Sequence, residues 1–154
     1  ANIYTEVGDN YKAYAADGHR HFPEVVQALK DISGRSVGVT FVPHLLPINR
    51  GIHATIFVNL TDLDLKLHDL YTTAFVDKPF VSILPLGGHP QTRNVRGSNF
   101  CQIGLHRPLG GRKAIILVVI DNLIKGASGQ AIQCMNLMFD LPETSGLTSI
   151  ACVP

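Results

Sequence analysis

At 154 residues, 45% of them hydrophobic, the chain is long enough to bury one substantial core and too short for two comfortable ones, so one compact unit is predicted. Thirteen Lys and Arg against 12 Asp and Glu leave a formal net charge of +1, which suggests no nucleic acid and no anionic membrane as partner and points to a small ligand. No apolar run reaches the roughly 18–20 residues of a bilayer span, and the first residues lack the basic-then-apolar order of a signal peptide; the expectation is a soluble, cytoplasmic protein.

The three cysteines, Cys101, Cys134 and Cys152, are odd in number and not closely paired, which argues against a disulfide framework or a cysteine-rich zinc site. Each reads as a small buried apolar residue. The chain opens at Ala1 without an initiator methionine, as part of a longer polypeptide would.

The first convincing element starts at Pro23, which suits the first helical position and pushes Phe22 out of the helical region. Phe22, Val25, Val26, Leu29 and Ile32 then recur at helical spacing until Ser33-Gly34 ends the run. Just ahead, "GHRHFPE" gathers His19, Arg20, His21 and Glu24. If this stretch is extended, alternation aims His19 and His21 to one side and Arg20 to the other. Glu24, in the first helical turn, is then placed to hold an imidazole in one tautomer. Two imidazoles facing one space can move protons near neutral pH. The same residues also read as surface or capping histidines, or as an H-x-H metal site still short of ligands.

"SVGVTFVPHL" (36–45) and "GIHATIFVNL" (51–60) are rich in β-branched residues and read as strands. Arg50-Gly51 opens the second, where a planar guanidinium suits a phosphate or carboxylate as well as it suits a solvated turn. "TDLDLKLHDLYTTAF" (61–75) reads as a second helix, with Thr61 three residues before Asp64 as a capping variant and Leu63, Leu67, Leu70 and Ala74 on one face. "PFVSILPL" (79–86) reads as a strand and "GGHPQTRNVRGS" (87–98) as a long loop of the kind that carries function. There Arg96-Gly97 repeats the earlier Arg-Gly pair, and two such arginines favour an anionic substrate.

"NFCQIGLH" (99–106) and "KAIILVVIDN" (113–122), joined by "RPLGGR", read as a strand pair with the second strand buried. A last helix is predicted from about Leu123 to Phe139. It opens with Lys125, Gly126, Ala127, Ser128 and Gly129. A glycine in a helical turn costs about 1 kcal/mol relative to alanine, so it marks close approach by a cofactor or a neighbouring backbone. No G-x-G-x-x-G fingerprint is present. Ile124, Ala127, Ala131, Met135 and Met138 form a stripe that reads as core packing. The element order α-β-β-α-β-β-β-α predicts an α+β fold, a mixed, largely antiparallel sheet with helices on one face.

Four segments together, "GHRHFPE", "PHLLPINRGI", "VRGSNFCQIGL" and "IDNLIKGASGQAIQCMNLMFDLPETSGL", resemble the C-terminal half of the N-acetyl-γ-glutamyl-phosphate reductase family. "KGASGQAIQCMNLMF" with "ETSGL" sets the chain apart from aspartate-semialdehyde dehydrogenases, which share a related Asp-Asn and Lys-Gly-Ala junction. The resemblance covers nearly the whole chain. It implies a substrate-binding and dimerisation domain over 1–154 with a glyceraldehyde-3-phosphate-dehydrogenase-like C-terminal fold, assembled as a homodimer or homotetramer. Residues 122–140 would form a C-terminal helix docking on a nucleotide-binding domain outside this chain.

The resemblance further implies an enzyme of arginine biosynthesis that reduces N-acetyl-γ-glutamyl phosphate with NADPH, through a thioacyl intermediate on a cysteine. That cysteine belongs to a Pro-Gly-Cys motif absent here, and neither Cys101 in its strand nor Cys134 inside the last helix has the helix-start setting that lowers a thiol pKa. On this basis His19 is the catalytic acid/base, and Arg20, His21 and Glu24 line or orient the substrate pocket. Arg50 and Arg96 are candidates for the substrate's carboxylate and phosphate; Asn122, Lys125 and Gly126 face the NADP cofactor, and no metal is implied. The chain alone is expected to be inactive. The rivals are reduction of a carrier-protein-bound aminoadipyl phosphate in lysine biosynthesis, which calls for a basic rim, and a non-catalytic association module.

Overall fold

The computed structural model describes residues 8–151, and the chain divides into two compact units, Ala1–Asn49 and Arg50–Pro154. Cys152 lies outside the described residues.

In the first unit, β1 (Lys12–Ala13) pairs antiparallel with β2 (His44–Leu45), and between them runs α1 (Phe22–Ser33). Gly34 in the left-handed region (φ 69°), its N–H 2.8 Å from the Lys30 carbonyl, ends α1 as the sequence predicts, whereas Phe22, expected outside the helix, is its first residue, one before the proline. The residues before it are not extended, which corrects the alternation argument: His21 already has φ −85° and ψ −8°, and the Phe22 N–H bonds the His19 carbonyl at 2.8 Å. Of the strand predicted over 36–45 only His44–Leu45 forms. A strand exists by pairing, and among the described residues the partner offered here is the two-residue β1. No residue of α1 is buried, and Ile32 on its apolar stripe is 86% exposed.

The second unit contains β3 (Ile52–Asn59), α2 (Leu67–Ala74), β4 (Val81–Ile83), β5 (Cys101–His106) and β6 (Lys113–Ile120). A π-helical turn (Ile124–Ser128) then leads into α3 (Gly129–Met138). The four strands form one sheet in the order β3-β6-β5-β4, antiparallel except for the β4–β5 pair, the mixed, largely antiparallel sheet of the prediction. β6 sits between two neighbours, which is why it is an almost unbroken apolar run. On one face Ile103, Leu105 and Ile116 form the core, joined by Val58, Val81, Ile83 and Val118 from the strands and by Leu67, Tyr71 and Phe75, spaced four apart along α2 and its cap. On the other face the 87–98 loop presses on Gly104, where a Cβ would lie 2.6 Å from the Gly88 carbonyl oxygen.

Two helices depart from prediction. α2 starts at Leu67 rather than Thr61, because the Asp62 carboxylate accepts the Asp64 N–H at 2.9 Å and closes a side-chain turn that competes with helix. Leu63 and Leu70, expected on the apolar face, are exposed. α3 is turned the other way round from the core stripe read in the sequence: Gly129, Gln133 and Asn136 are buried while Met135 and Met138 are exposed. The buried amides are satisfied, Asn136 Nδ2 donating to the carbonyls of Glu143 (3.2 Å) and Ser145 (3.0 Å), so the helix keeps its polar side inward. Cys134, expected inside, is exposed. Among the described residues no helix is long and apolar enough to cross a membrane.

Candidate functional site

Within the first unit the turn ahead of α1 brings the two imidazoles together without any extended segment. Their ring centroids are 4.9 Å apart, and the His21 backbone N–H donates to His19 Nδ1 at 3.2 Å. That bond makes Nδ1 an acceptor and assigns the proton of neutral His19 to Nε2. Tyr14 and Phe41 meet the same ring edge-on at 5.7 and 5.6 Å. The tautomer is therefore held by backbone, not by Glu24, which like Arg20 is exposed. Among the described residues no group of three or more His, Cys, Asp or Glu side chains is arranged to hold a metal ion.

Within the second unit everything converges on Asp121, whose side chain is fully buried. It closes β6, and its Oδ1 accepts the N–H groups of Leu123 (2.8 Å) and Ile124 (2.9 Å), capping the π-helical turn. Oδ2 accepts the Gly97 N–H at 2.7 Å, and Arg50 Nη2 lies 3.1 Å from Oδ1 and 3.0 Å from Oδ2. Burial pushes this carboxyl's pKa up, but the N–H groups of Gly97 and Ile124, the Arg50 guanidinium and the Leu123 N–H outweigh it and hold it below the ordinary carboxylate value. Next to it, Asn122 Oδ1 accepts the Gly51 N–H at 2.7 Å. Gly51 has φ +118°, and a Cβ there would lie 2.8 Å from the Thr92 side chain, so both conformation and space demand glycine.

The two Arg-Gly pairs singled out in the sequence are thus drawn to one Asp-Asn pair. Among the described residues, Arg50 Nε and Arg96 Nε are buried and have no hydrogen-bond partner. The sequence reading gave Asp121 no role, although an acid closing an apolar strand just before a helix start was the signal.

Lys125 faces inward: its Nζ donates to Gln133 Oε1 at 2.6 Å and stands 5.7 Å over the Phe80 ring. Gln133 also accepts Asn99 Nδ2 at 2.9 Å and donates to Glu143 at 2.6 Å. Burial lowers the lysine's pKa, with Cys101, Glu143 and Cys134 opposing. Burial raises the Cys101 thiol, with Lys125 opposing, a setting that keeps the sulfur protonated and suits no nucleophile. In the π-helical turn the Gly126 N–H reaches the Asp121 carbonyl at 2.9 Å, and Gly126 itself is exposed. Gly129, by contrast, lies against Asn99 Oδ1 and Ile124.

The family model for "semialdehyde dehydrogenase, dimerisation domain" matches residues 1–122. An N-acetyl-gamma-glutamyl-phosphate reductase of Polynucleobacter asymbioticus is 56% identical over 99% of this chain, and one of Nitrosomonas europaea 53% over the same share. The chain spans 44% of the length of either relative. A solved structure titled as a probable aspartate-semialdehyde dehydrogenase from Pseudomonas aeruginosa superposes with a TM-score of 0.70 over 86% of this chain and 42% of that one, at 16% identity. An aspartate semialdehyde dehydrogenase II from Vibrio cholerae gives 0.62 over 80% and 38%, at 18% identity. These two likenesses carry the fold alone. By the match of the family model over most of its length, the chain belongs to the semialdehyde dehydrogenase dimerisation-domain family.

Proposed function

We propose that the chain is the substrate-binding and dimerisation part of an NADPH-dependent reductase that converts N-acetyl-γ-glutamyl phosphate to N-acetylglutamate 5-semialdehyde and phosphate, a step of arginine biosynthesis. The observation that carries this reading is the 53–56% identity along 99% of the chain with reductases of that name. The geometry supplies matching chemistry. With Nδ1 accepting the His21 N–H, His19 presents Nε2–H as the hydrogen-bond donor to a thiolate or a developing oxyanion, the nitrogen through which its acid/base role would run. Arg50 and Arg96 are both half-buried, and their guanidinium groups suit the carboxylate and phosphate of a dianionic or trianionic substrate. Arg20, His21 and Glu24 flank the imidazole as pocket residues, and the nucleophilic cysteine is supplied from outside this chain.

The cofactor is a nicotinamide dinucleotide, NADP, whose reduced form would supply the hydride. Asn122 and Gly126 fit a place beside it: the first is anchored through Oδ1 with its amide nitrogen left to donate, and the second offers exposed backbone at close range. Lys125 does not fit as a ligand, because its ammonium is committed to Gln133 and Phe80; its part is to support the turn. The exposed Met135, Met138 and Phe139 of the 122–140 segment would be covered by the nucleotide-binding domain. Reduction of a carrier-bound aminoadipyl phosphate finds no support in the near-neutral chain, with its net charge of +1.

The test is phosphate-dependent reduction of NADP with N-acetylglutamate semialdehyde, followed optically for this chain, its full-length parent and the parent carrying His19→Asn. The parent is expected to be active, the chain silent and the variant slowed roughly a hundredfold or more. An inactive parent would sink the substrate assignment, and turnover by the isolated chain would sink the division of labour.

A further inference from the structure

We infer that Asp121 is a positioning residue for the reaction: its buried carboxylate aims the Arg50 guanidinium at an anionic group of the substrate. The inference rests on the reading that this site takes an acyl phosphate and releases phosphate. The geometry separates this role from that of a turn cap. Capping the π-helical turn needs only the bonds from Leu123 and Ile124 to Oδ1. The arginine is held in addition, and by one nitrogen only, Nη2 shared between the two carboxylate oxygens at 3.1 and 3.0 Å.

A guanidinium that used its full fork on the acid would offer two nitrogens to two oxygens. Here Nε, on the same edge of the guanidinium as Nη2, is buried and has no hydrogen-bond partner among the described residues, so the acid does not take the full fork. The Arg50 side chain is nevertheless 32% exposed, so the guanidinium is fixed at its buried end while donors beyond the acid remain open to an outside oxygen. Arg96 Nε is likewise buried without a partner among the described residues, and Arg96 precedes Gly97, whose N–H is bonded to Oδ2 of the same carboxylate. One acid therefore fixes the head of one arginine and the backbone carrying the other. A long, flexible side chain held in this way loses its rotamer freedom before substrate arrives. Asp121 remains an anion while doing so, since its carboxyl is held below the ordinary carboxylate value.

The experiment uses the full-length parent with Arg50→Ala, Asp121→Asn and the two combined, assayed for phosphate-dependent NADP reduction with saturation curves for inorganic phosphate and for the semialdehyde. Each single variant is expected to raise one of these KM values roughly tenfold or more while kcat changes less than about threefold. The double variant should be no worse than Arg50→Ala alone, because Asp121 acts through the arginine. Additive KM losses, or a folded Asp121→Asn with unchanged KM, overturn the inference. If Asp121→Asn does not fold, Asp121→Glu decides: it keeps the charge and moves the guanidinium, so a raised KM at near-normal kcat supports the role and an unchanged KM overturns it. An inactive wild-type parent overturns the substrate reading itself and this inference with it, an outcome distinct from an active parent whose variants keep their KM.

Discussion

Gly126 and Gly129 stand in one turn, three residues apart, and the space around them differs. At Gly129 a Cβ would run into Asn99 Oδ1 and lie 2.7 Å from the Ile124 side chain, while at Gly126 the nearest atoms, the Asp121 carbonyl oxygen and Ile120 Cδ1, are 3.4 and 3.5 Å away. Gly129→Ala is therefore expected to destabilise the chain by about 1–3 kcal/mol, as overpacking does. Gly126→Ala should leave stability unchanged or raise it by up to about 1 kcal/mol through helix propensity, and in the full-length parent raise the KM for NADP. Denaturant unfolding of both variants with a cofactor titration of the second checks the contrast, and equal losses of stability would refute it. The sequence alone tells that these glycines admit something close; it cannot tell a side chain on one from a ligand on the other. The histidine pair was legible in the same partial way. That His19 and His21 share a space follows from their spacing, but the cause is a turn closed by the His19 carbonyl, which Pro23 does not announce. Asp121 was in plain view and its role was not, because a buried carboxylate is defined by donors that come from residues 50, 97, 123 and 124.

Elements that find a long partner strand were readable; those that meet a short or a polar partner were not. β3 and β5 each pair with β6 over most of their length, and their β-branched runs and the turn before β6 point to them directly. The 36–45 stretch has the same composition but meets only a two-residue partner, so propensity alone does not make it a strand. α3 fails for another reason: periodicity finds an apolar stripe on a helix but cannot say which side the neighbouring carbonyls of Glu143 and Ser145 will claim. The consequence is measurable as a contrast in stability. Ile116→Ala, at the centre of the sheet's core, should cost about 2–5 kcal/mol. Met138→Lys, on the exposed side of α3 at 79% exposure, should stay within about 0.5 kcal/mol of wild type. Unfolding curves for the two variants would reject this account of α3 if Met138→Lys proved as costly as the core change.

At the scale of the molecule the open side of the sheet sets the problem. β3 pairs with β6 along one side, and among the described residues no strand lies on the other. Its sequence, "IHATIFVN", carries no Lys, Arg, Asp or Glu to guard that edge, although exposed edges in monomeric proteins are commonly guarded by charge. Phe57, 69% exposed beside Ile115 across the strand pair, stands where an isolated monomer would leave a large ring in water. The family to which the chain belongs is named for dimerisation, and a second copy of the chain is the occupant this edge and its flanking face are proposed to meet. Phe57→Lys in the full-length parent should then weaken self-association at least roughly tenfold, since aromatic anchors dominate interface energetics, while Phe57→Leu, which keeps an apolar contact, should weaken it less. Sedimentation across a concentration series reads both. A Phe57→Lys protein that sediments like wild type at every concentration would place the subunit contact elsewhere on the molecule, whereas a folded, monomeric variant would tie assembly to this uncharged strand edge.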